Sequence, residues 1–398
     1  MSRPGDDGLD VADTGLLSPV VAGTAVERLT GDRAVVAAMV RMEAALLRAL
    51  VSTGIAPAEA AKSADAVASV DPDVRELALA AAEGGNPAIP LVRQLRAAVD
   101  PEQAEWVHHG ATSQDVVDTA LALVASEVAR QLEQDLLRLG DSLARLADEH
   151  RALPVVARTL TQQALPTTLG MRVSGWLAGV DDAVLLLRGC TPLPVSIGGP
   201  VGTASAYDGQ GPAVADALAA ELDLAAPVVP WHTRRTPVTE LGHALATAVA
   251  ACAKVAADVL VMAQQEVGEL REGRGGPSSA MRHKANPAQS VLVASAGRQA
   301  PALASVLLSS AVAEQERPAG AWHAEWQPLR ALLRLAGGAA ERTVGIVEGL
   351  VLDSDAMRRN LEHLRDAVGE DDRWVERHTG TVGVWVDRSL ARHQEVRG

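Results

Sequence analysis

Residues 115–150 read DVVDTALALVASEVARQLEQDLLRLGDSLARLADEH, and along them Val117, Leu121, Val124, Val128, Leu132, Leu136, Leu139, Leu143 and Leu146 recur in steps of three and four. That spacing draws one apolar stripe down a single very long helix. A second helix is expected from Pro237, a favourable first-turn residue, to about Arg271, a span of roughly 52 Å at the helical rise. Shorter helical patterns cover 33–54, closed by Gly54, and about 288–313 and 327–350. Helices this long, apolar around much of their circumference, need more cover than a small monomeric bundle supplies, which points to burial against partner chains. The fold class is therefore all-α: an N-terminal helical domain over 1–110, a central long-helix bundle over 111–350, and a short C-terminal helical domain over 351–398. Gly- and Pro-rich joints at 84–90, 189–203, 226–237 and 273–278 separate the helices, none of them long enough to be a domain linker.

Composition excludes several classes of function. The 398 residues carry a net charge of −14 and only seven Trp, one Tyr and no Phe, so neither a basic footprint nor stacking rings await nucleic acid. Cys190 and Cys252 form no disulfide framework and fit no metal-ligand spacing. The acidic start MSRPGDDGLD does not resemble a signal peptide, and no run of 18 uninterrupted apolar residues occurs, so a cytoplasmic protein with no membrane partner is expected. No Walker loop, HExxH motif, nucleophile elbow or paired Cys/His set is present, so no metal and no organic cofactor are expected.

Four polar segments fall at the joints. In 275–287 (GGPSSAMRHKANP), glycines let a loop close, a serine hydroxyl is available, and Lys284 with Asn286 can donate to developing negative charge. Positive charge in this chain is almost always Arg; only Lys62, Lys254 and Lys284 are lysines, and a lysine kept here suits a compact ammonium. The second segment, His108-His109-Gly110-Ala111-Thr112-Ser113-Gln114-Asp115, opens the first long helix. Thr112, Ser113 or Asp115 alone would be an ordinary cap, but hydroxyls beside a helix N-terminus also suit a carboxylate. The third, 157–168 (ARTLTQQALPTT), is a polar run in which Arg158 can clamp a carboxylate bidentately, although a surface turn would read the same. The fourth, Trp231-His232-Thr233-Arg234-Arg235, is a rare positive spot before the second long helix.

Together these segments resemble the fumarase/aspartase superfamily, whose GSSxMPxKxNP signature is matched from Ser278 to Pro287, with Arg282 in place of the usual proline. HHGATSQDVVDTAL, RTLTQQALPTTLG, PVSIGGPVGTASA, PWHTRR and GAWHAEWQPLRALLRLAGGAA look like the 3-carboxy-cis,cis-muconate cycloisomerase branch, with the stretch around Trp322–Trp326 the most branch-specific. The resemblance implies a fumarase/aspartase-like fold, a homotetramer with active sites shared between subunits, and a small di- or tricarboxylate substrate. It makes Ser278 the general base, with Lys284 and Asn286 holding a carboxylate and its aci-carboxylate form. Thr112, Ser113, Arg158, Thr159, Gln162, Gln163, His232, Arg235, His109, Ser279 and Met281 complete the expected substrate-binding set. Leu160 stands where adenylosuccinate lyases carry a catalytic histidine, and Gln163 where cycloisomerases often carry one. The reaction class is cycloisomerisation of a muconate, or its chemical relative, β-elimination of fumarate from a substituted succinate by a C–N or C–O lyase; the remaining alternative is a non-catalytic helical scaffold, against which the retention of Ser278, Lys284 and Asn286 argues.

Overall fold

The computed structural model describes residues 15–273, 275–276, 281 and 284–398. An N-terminal cluster, α1 (Ala25–Leu29), α2 (Asp32–Ser52), α3 (Ala60–Ala68), α4 (Val74–Gly84) and α5 (Ala88–Ala97), leads into α6 (Ser113–Glu149). The hairpin β1 (Pro154–Thr159) and β2 (Gln162–Thr168) follows, then α7 (Leu169–Gly189), α8 (Gly211–Leu222), α9 (Thr236–Met262) and β3 (Leu270–Glu272). The chain continues through α10 (Ala288–Ser310), α11 (Ala321–Glu348), β4 (Leu350–Leu352), α12 (Ser354–Val368), α13 (Trp374–Thr379) and α14 (Val382–Arg397).

The stripe read from the sequence is the buried face of α6, where Val128, Leu132, Leu136, Leu139 and Leu143 are fully enclosed. At 37 residues this helix is about 55 Å long. It packs with α7, α9, α10 and α11 into the central bundle, whose directions follow from contacts near the helix ends. Arg235, at the start of α9, bonds Asp118 near the start of α6 and Glu325 near the start of α11, so these three run in parallel. Gly242 of α9 lies against Leu307 of α10 and Gly297 of α10 against Ala253 of α9, so α10 runs the other way. The β3–β4 pair then joins the far ends of α9 and α11.

The bundle therefore has two ends. At the head lie the starts of α6, α9 and α11. At the tail lie the β1–β2 hairpin, β3–β4, the entry to α10, and α12–α13, whose Leu361, Leu364 and Trp374 pack with Val156 in a small second core.

Two sequence expectations need correcting. The helix expected to reach Arg271 stops at Met262, where Val267 and Gly268 turn back to the Gln264 carbonyl and Gly268 takes φ +61. The polar run at 157–168 is a β-hairpin whose two-residue turn, Leu160–Thr161, has positive φ at both positions, the backbone of a type I′ turn. Helices α9 and α10 are long and apolar enough to cross a membrane, yet both are bundle members. In α10 only 22% of the apolar window is buried within the chain, and Val291 and Leu308 stand exposed.

Candidate active site

The head half of the site is built around the start of α6. Thr112, with extended backbone (φ −127, ψ 162), is the N-cap, and Asp115 reaches back to accept its N–H at 3.0 Å. The turn before it is pinned from two sides. His108, at φ +63, meets the buried Glu43 carboxylate of α2 at 2.6 Å. Burial alone would lower the His108 pKa, but Glu43 outweighs this and holds it above the ordinary imidazole value. Gly110 (φ +71) lies so close to Tyr207 that an added Cβ would stand 2.5 Å from its ring, so only glycine fits. Tyr207 donates its hydroxyl to the His109 carbonyl, and the half-buried His109 ring lies between Trp106 and Tyr207. Thr112, Ser113 and His109 thus share one partly open turn, with His232 beneath it, bonded to Asp115 at 2.6 Å.

Arg235 belongs to this end but faces inward. Its guanidinium is engaged by Asp118 and by Glu325, it stacks over Trp231 at 4.8 Å, and the residue is 3% exposed. Burial would lower its pKa, but the two carboxylates more than offset this and hold it charged. Trp322 donates to Asp118 as well, so the Trp322–Trp326 stretch of α11 supplies two members of the network. The expectation that Arg235 binds substrate is therefore corrected: four of its five N–H groups already meet two buried carboxylates, and its work is to lock the starts of α6, α9 and α11 together.

Arg158 requires the same correction. From β1 it forms a two-pronged pair with the buried Glu269, at 2.8 and 3.2 Å, and Asn360 donates to the same carboxylate at 3.0 Å. The fork assigned to a substrate carboxylate ties the hairpin to the chain that leaves α9. The hairpin tip stands clear: Thr159, Gln162 and Gln163 are exposed, and Leu160 is 96% exposed.

Next to this, the neck of the 275–287 loop is closed by paired backbone bonds between Gly276 and Asn286, at 2.8 and 3.0 Å. An added Cβ on Gly276 would lie 2.6 Å from that of Ala288, so the neck needs glycine. Glu272 caps the following helix, accepting from the Ser290 N–H at 2.7 Å. Lys284 is exposed and, among the described residues, makes no ion pair; Met281 is exposed and Asn286 half-buried. Ser278 and Ser279 lie outside the described residues.

The structure thus brings Thr112, Ser113, His109 and His232 together at the head, and Gln162, Gln163, Lys284 and Asn286 to the tail, with a 37-residue helix between. No single chain can close these halves on one small molecule. Residues that sequence reasoning missed are the buried carboxylates Glu43, Asp118, Glu269 and Glu325, whose ion-pair partners lie 65 to 117 positions away. Only Asp115, three residues after Thr112, carried a local signal. Among the described residues no group of three or more His, Cys, Asp or Glu is placed to hold a metal ion. Burial pushes the free thiols of Cys190 and Cys252 up to about 11 and about 12, which leaves neither as a ready nucleophile.

A family model described as a lyase matches residues 18–301. The nitrosuccinate lyase of Streptomyces davaonensis is 45% identical over 369 residues, covering 88% of this chain and 78% of that protein. The 3-carboxy-cis,cis-muconate cycloisomerase of Bradyrhizobium diazoefficiens is 41% identical over 357 residues, covering 87% and 79%. Among solved structures, the 3-carboxy-cis,cis-muconate lactonizing enzyme of Pseudomonas putida superposes with a TM-score of 0.87 at 31% identity, covering 96% of this chain and all of that one.

Proposed function

Since the chain belongs to this lyase family, within the fumarase/aspartase superfamily, we propose that it is a cytoplasmic, 3-carboxy-cis,cis-muconate cycloisomerase-like enzyme working as a homotetramer without metal or organic cofactor. The observation that carries this reading is the separation of the two half-sites along α6. Polar groups suited to a polycarboxylate lie at both ends of one rigid helix, so a working site takes its head from one subunit and its tail from others. The uncovered apolar face of α10 supports the same assembly.

The chemistry asks for donors rather than for a cofactor. Cycloisomerisation joins a carboxylate oxygen to an alkene carbon and places a proton beside another carboxylate; its reverse removes that proton. Either way negative charge develops on the carbon next to a carboxylate and spreads onto its oxygens. Donors fixed around those oxygens in a dry pocket are often worth several kcal/mol. The Thr112 and Ser113 hydroxyls at the start of α6 would hold one carboxylate, and Lys284 with Asn286 the charge-gathering one, while Ser278 exchanges the proton. Gln162 and Gln163 at the hairpin tip would reach the same substrate from a third subunit.

A second reading, release of fumarate from a substituted succinate, is favoured by the 45% identity to a nitrosuccinate lyase and by glutamine at position 163. It requires the same carbanion and the same donors. The enzyme is incubated in parallel with 3-carboxy-cis,cis-muconate and with a panel of substituted succinates that includes nitrosuccinate. Loss of the diene absorbance is the expected result; fumarate release without diene loss establishes the second reading, and silence in both arms removes catalysis on polycarboxylates altogether.

A further inference from the structure

Beneath the Thr112–Ser113 turn lies a buried acid–imidazole pair that the catalytic reading leaves unused. Asp115 is fully enclosed and faces four donors. One oxygen accepts the Thr112 and Gly199 N–H groups, at 3.0 and 2.9 Å; the other meets the Ser196 hydroxyl at 3.2 Å and His232 Nε2 at 2.6 Å. Four donors make this the environment of an anion, with His232 carrying its hydrogen on Nε2. The other imidazole nitrogen, Nδ1, is buried and has no hydrogen-bond partner among the described residues, and neither has the side-chain carbonyl of Gln114. These two atoms belong to residues already joined, since the Gln114 amide donates to the His232 carbonyl at 2.8 Å. A proton on Nδ1 would add a buried donor to a pair of residues that already holds a buried, unpartnered acceptor.

The charges around the pair make such a proton useful. From α6 come Asp115 and Asp118, from α11 Glu325, and from α2 Glu43; against them stand Arg235 at the start of α9 and Arg96 of α5, which donates to the Val107 carbonyl. Four carboxylates thus outnumber two guanidiniums under a turn read as a polyanion site. Two histidines can make up the difference. His108 already sits against Glu43, which favours its charged form, whereas His232 shares Asp115 with the Thr112 N–H itself.

We propose that His232 is a positioning residue that acts through Asp115: its protonation neutralises the floor of the carboxylate site, so that binding an anion at Thr112–Ser113 is coupled to uptake of one proton. The inference rests on the reading of Thr112 and Ser113 as that site. The proton comes from solvent and resides on Nδ1 while Asp115 keeps its hydrogen bonds, so no bond to the ligand is made or broken. A charge a few ångströms below the bound carboxylate changes its affinity by on the order of tenfold.

The test is titration calorimetry of the intact oligomer with propane-1,2,3-tricarboxylate and with fumarate, in buffers of differing ionisation enthalpy, from pH 6 to 8.5. For the wild type, uptake approaching one proton per bound anion above neutral pH is expected, with affinity falling as pH rises. His232→Gln keeps an amide donor toward Asp115 but cannot be charged; it should bind with no uptake and a flat pH profile, at the weak affinity of the wild type at high pH. Asp115→Asn, which removes the charge itself, should also abolish uptake and covers the case in which His232→Gln does not fold. His108→Gln should retain the uptake. Wild-type proton uptake in His232→Gln and Asp115→Asn overturns the coupling while leaving the site intact. Unchanged binding in Thr112→Val/Ser113→Ala, or no binding of either anion to the wild type, overturns the underlying reading and the coupling with it.

Discussion

At the head of the bundle, buried charges are answered within the chain: Arg235 by Asp118 and Glu325, His108 by Glu43, Asp115 by four donors. At the tail, the Arg158 anchor is answered too, by Glu269, but the groups suited to substrate, Gln162, Gln163 and Lys284, are exposed, as is Leu160. Within one chain the head's charges are buried and paired, whereas the tail's polar groups stand exposed. The buried network at the head thus holds the fold, whereas the exposed tail groups do not, so changes to Arg235 and to Lys284 should fail in different ways.

The largest expected effect is at the head. Arg235→Met leaves Asp118 and Glu325 buried without their cation, and losing one partner of such a cluster costs about 3–5 kcal/mol. Denaturant unfolding should show that loss; a cost below about 1 kcal/mol would mean that the network is not what holds the starts of the three helices together. At the tail, Lys284→Met should leave the unfolding midpoint unchanged, because the side chain is exposed, while lowering kcat/KM about 100-fold or more through loss of a donor to the developing charge. Stability loss without a turnover defect would reverse the assignment of the two ends.

A smaller effect is expected between the ends, where His393 of α14 bonds Asp181 of α7 at 2.8 Å and reaches Asp141 of α6. The bond to Asp181 raises its pKa above the ordinary imidazole value. A raised folded-state value means that this clamp contributes fully below the unfolded value of about 6.5 and is lost as pH rises through the folded one. The difference in melting temperature between wild type and His393→Gln should therefore shrink from pH 5.5 to pH 8.5; a difference that grows with pH would contradict the sign.

The long helices were legible because a stripe repeated every three or four residues has one structural meaning, and α6 matches its expected bounds to within two residues at each end. Where α9 stops was not legible. Gln264, Gln265 and Glu266 are acceptable helix formers, and the chain leaves the helix because Glu269 must turn inward to meet Arg158 and Asn360, which lie 111 and 91 residues away. The hairpin escaped notice for a related reason: Leu160 and Thr161 take positive φ without the glycine or asparagine that usually announces such a turn. Of the site, the polar side chains at the joints could be found from residue type. Which arginines were already taken could not, because Arg158 and Arg235 look as free in sequence as any other; only the fold places carboxylates against them.

The most direct test of the two-ended site mixes inactive partners. A head variant, Thr112→Val/Ser113→Ala, and a tail variant, Lys284→Met, are co-expressed or reassembled in equal amounts and assayed on whichever substrate the wild type turns over. If each site draws its head and tail from different chains, random assembly restores about one quarter of the sites from two inactive parents. Activity no greater than that of either parent, in mixed oligomers shown to contain both chains, would contradict the account.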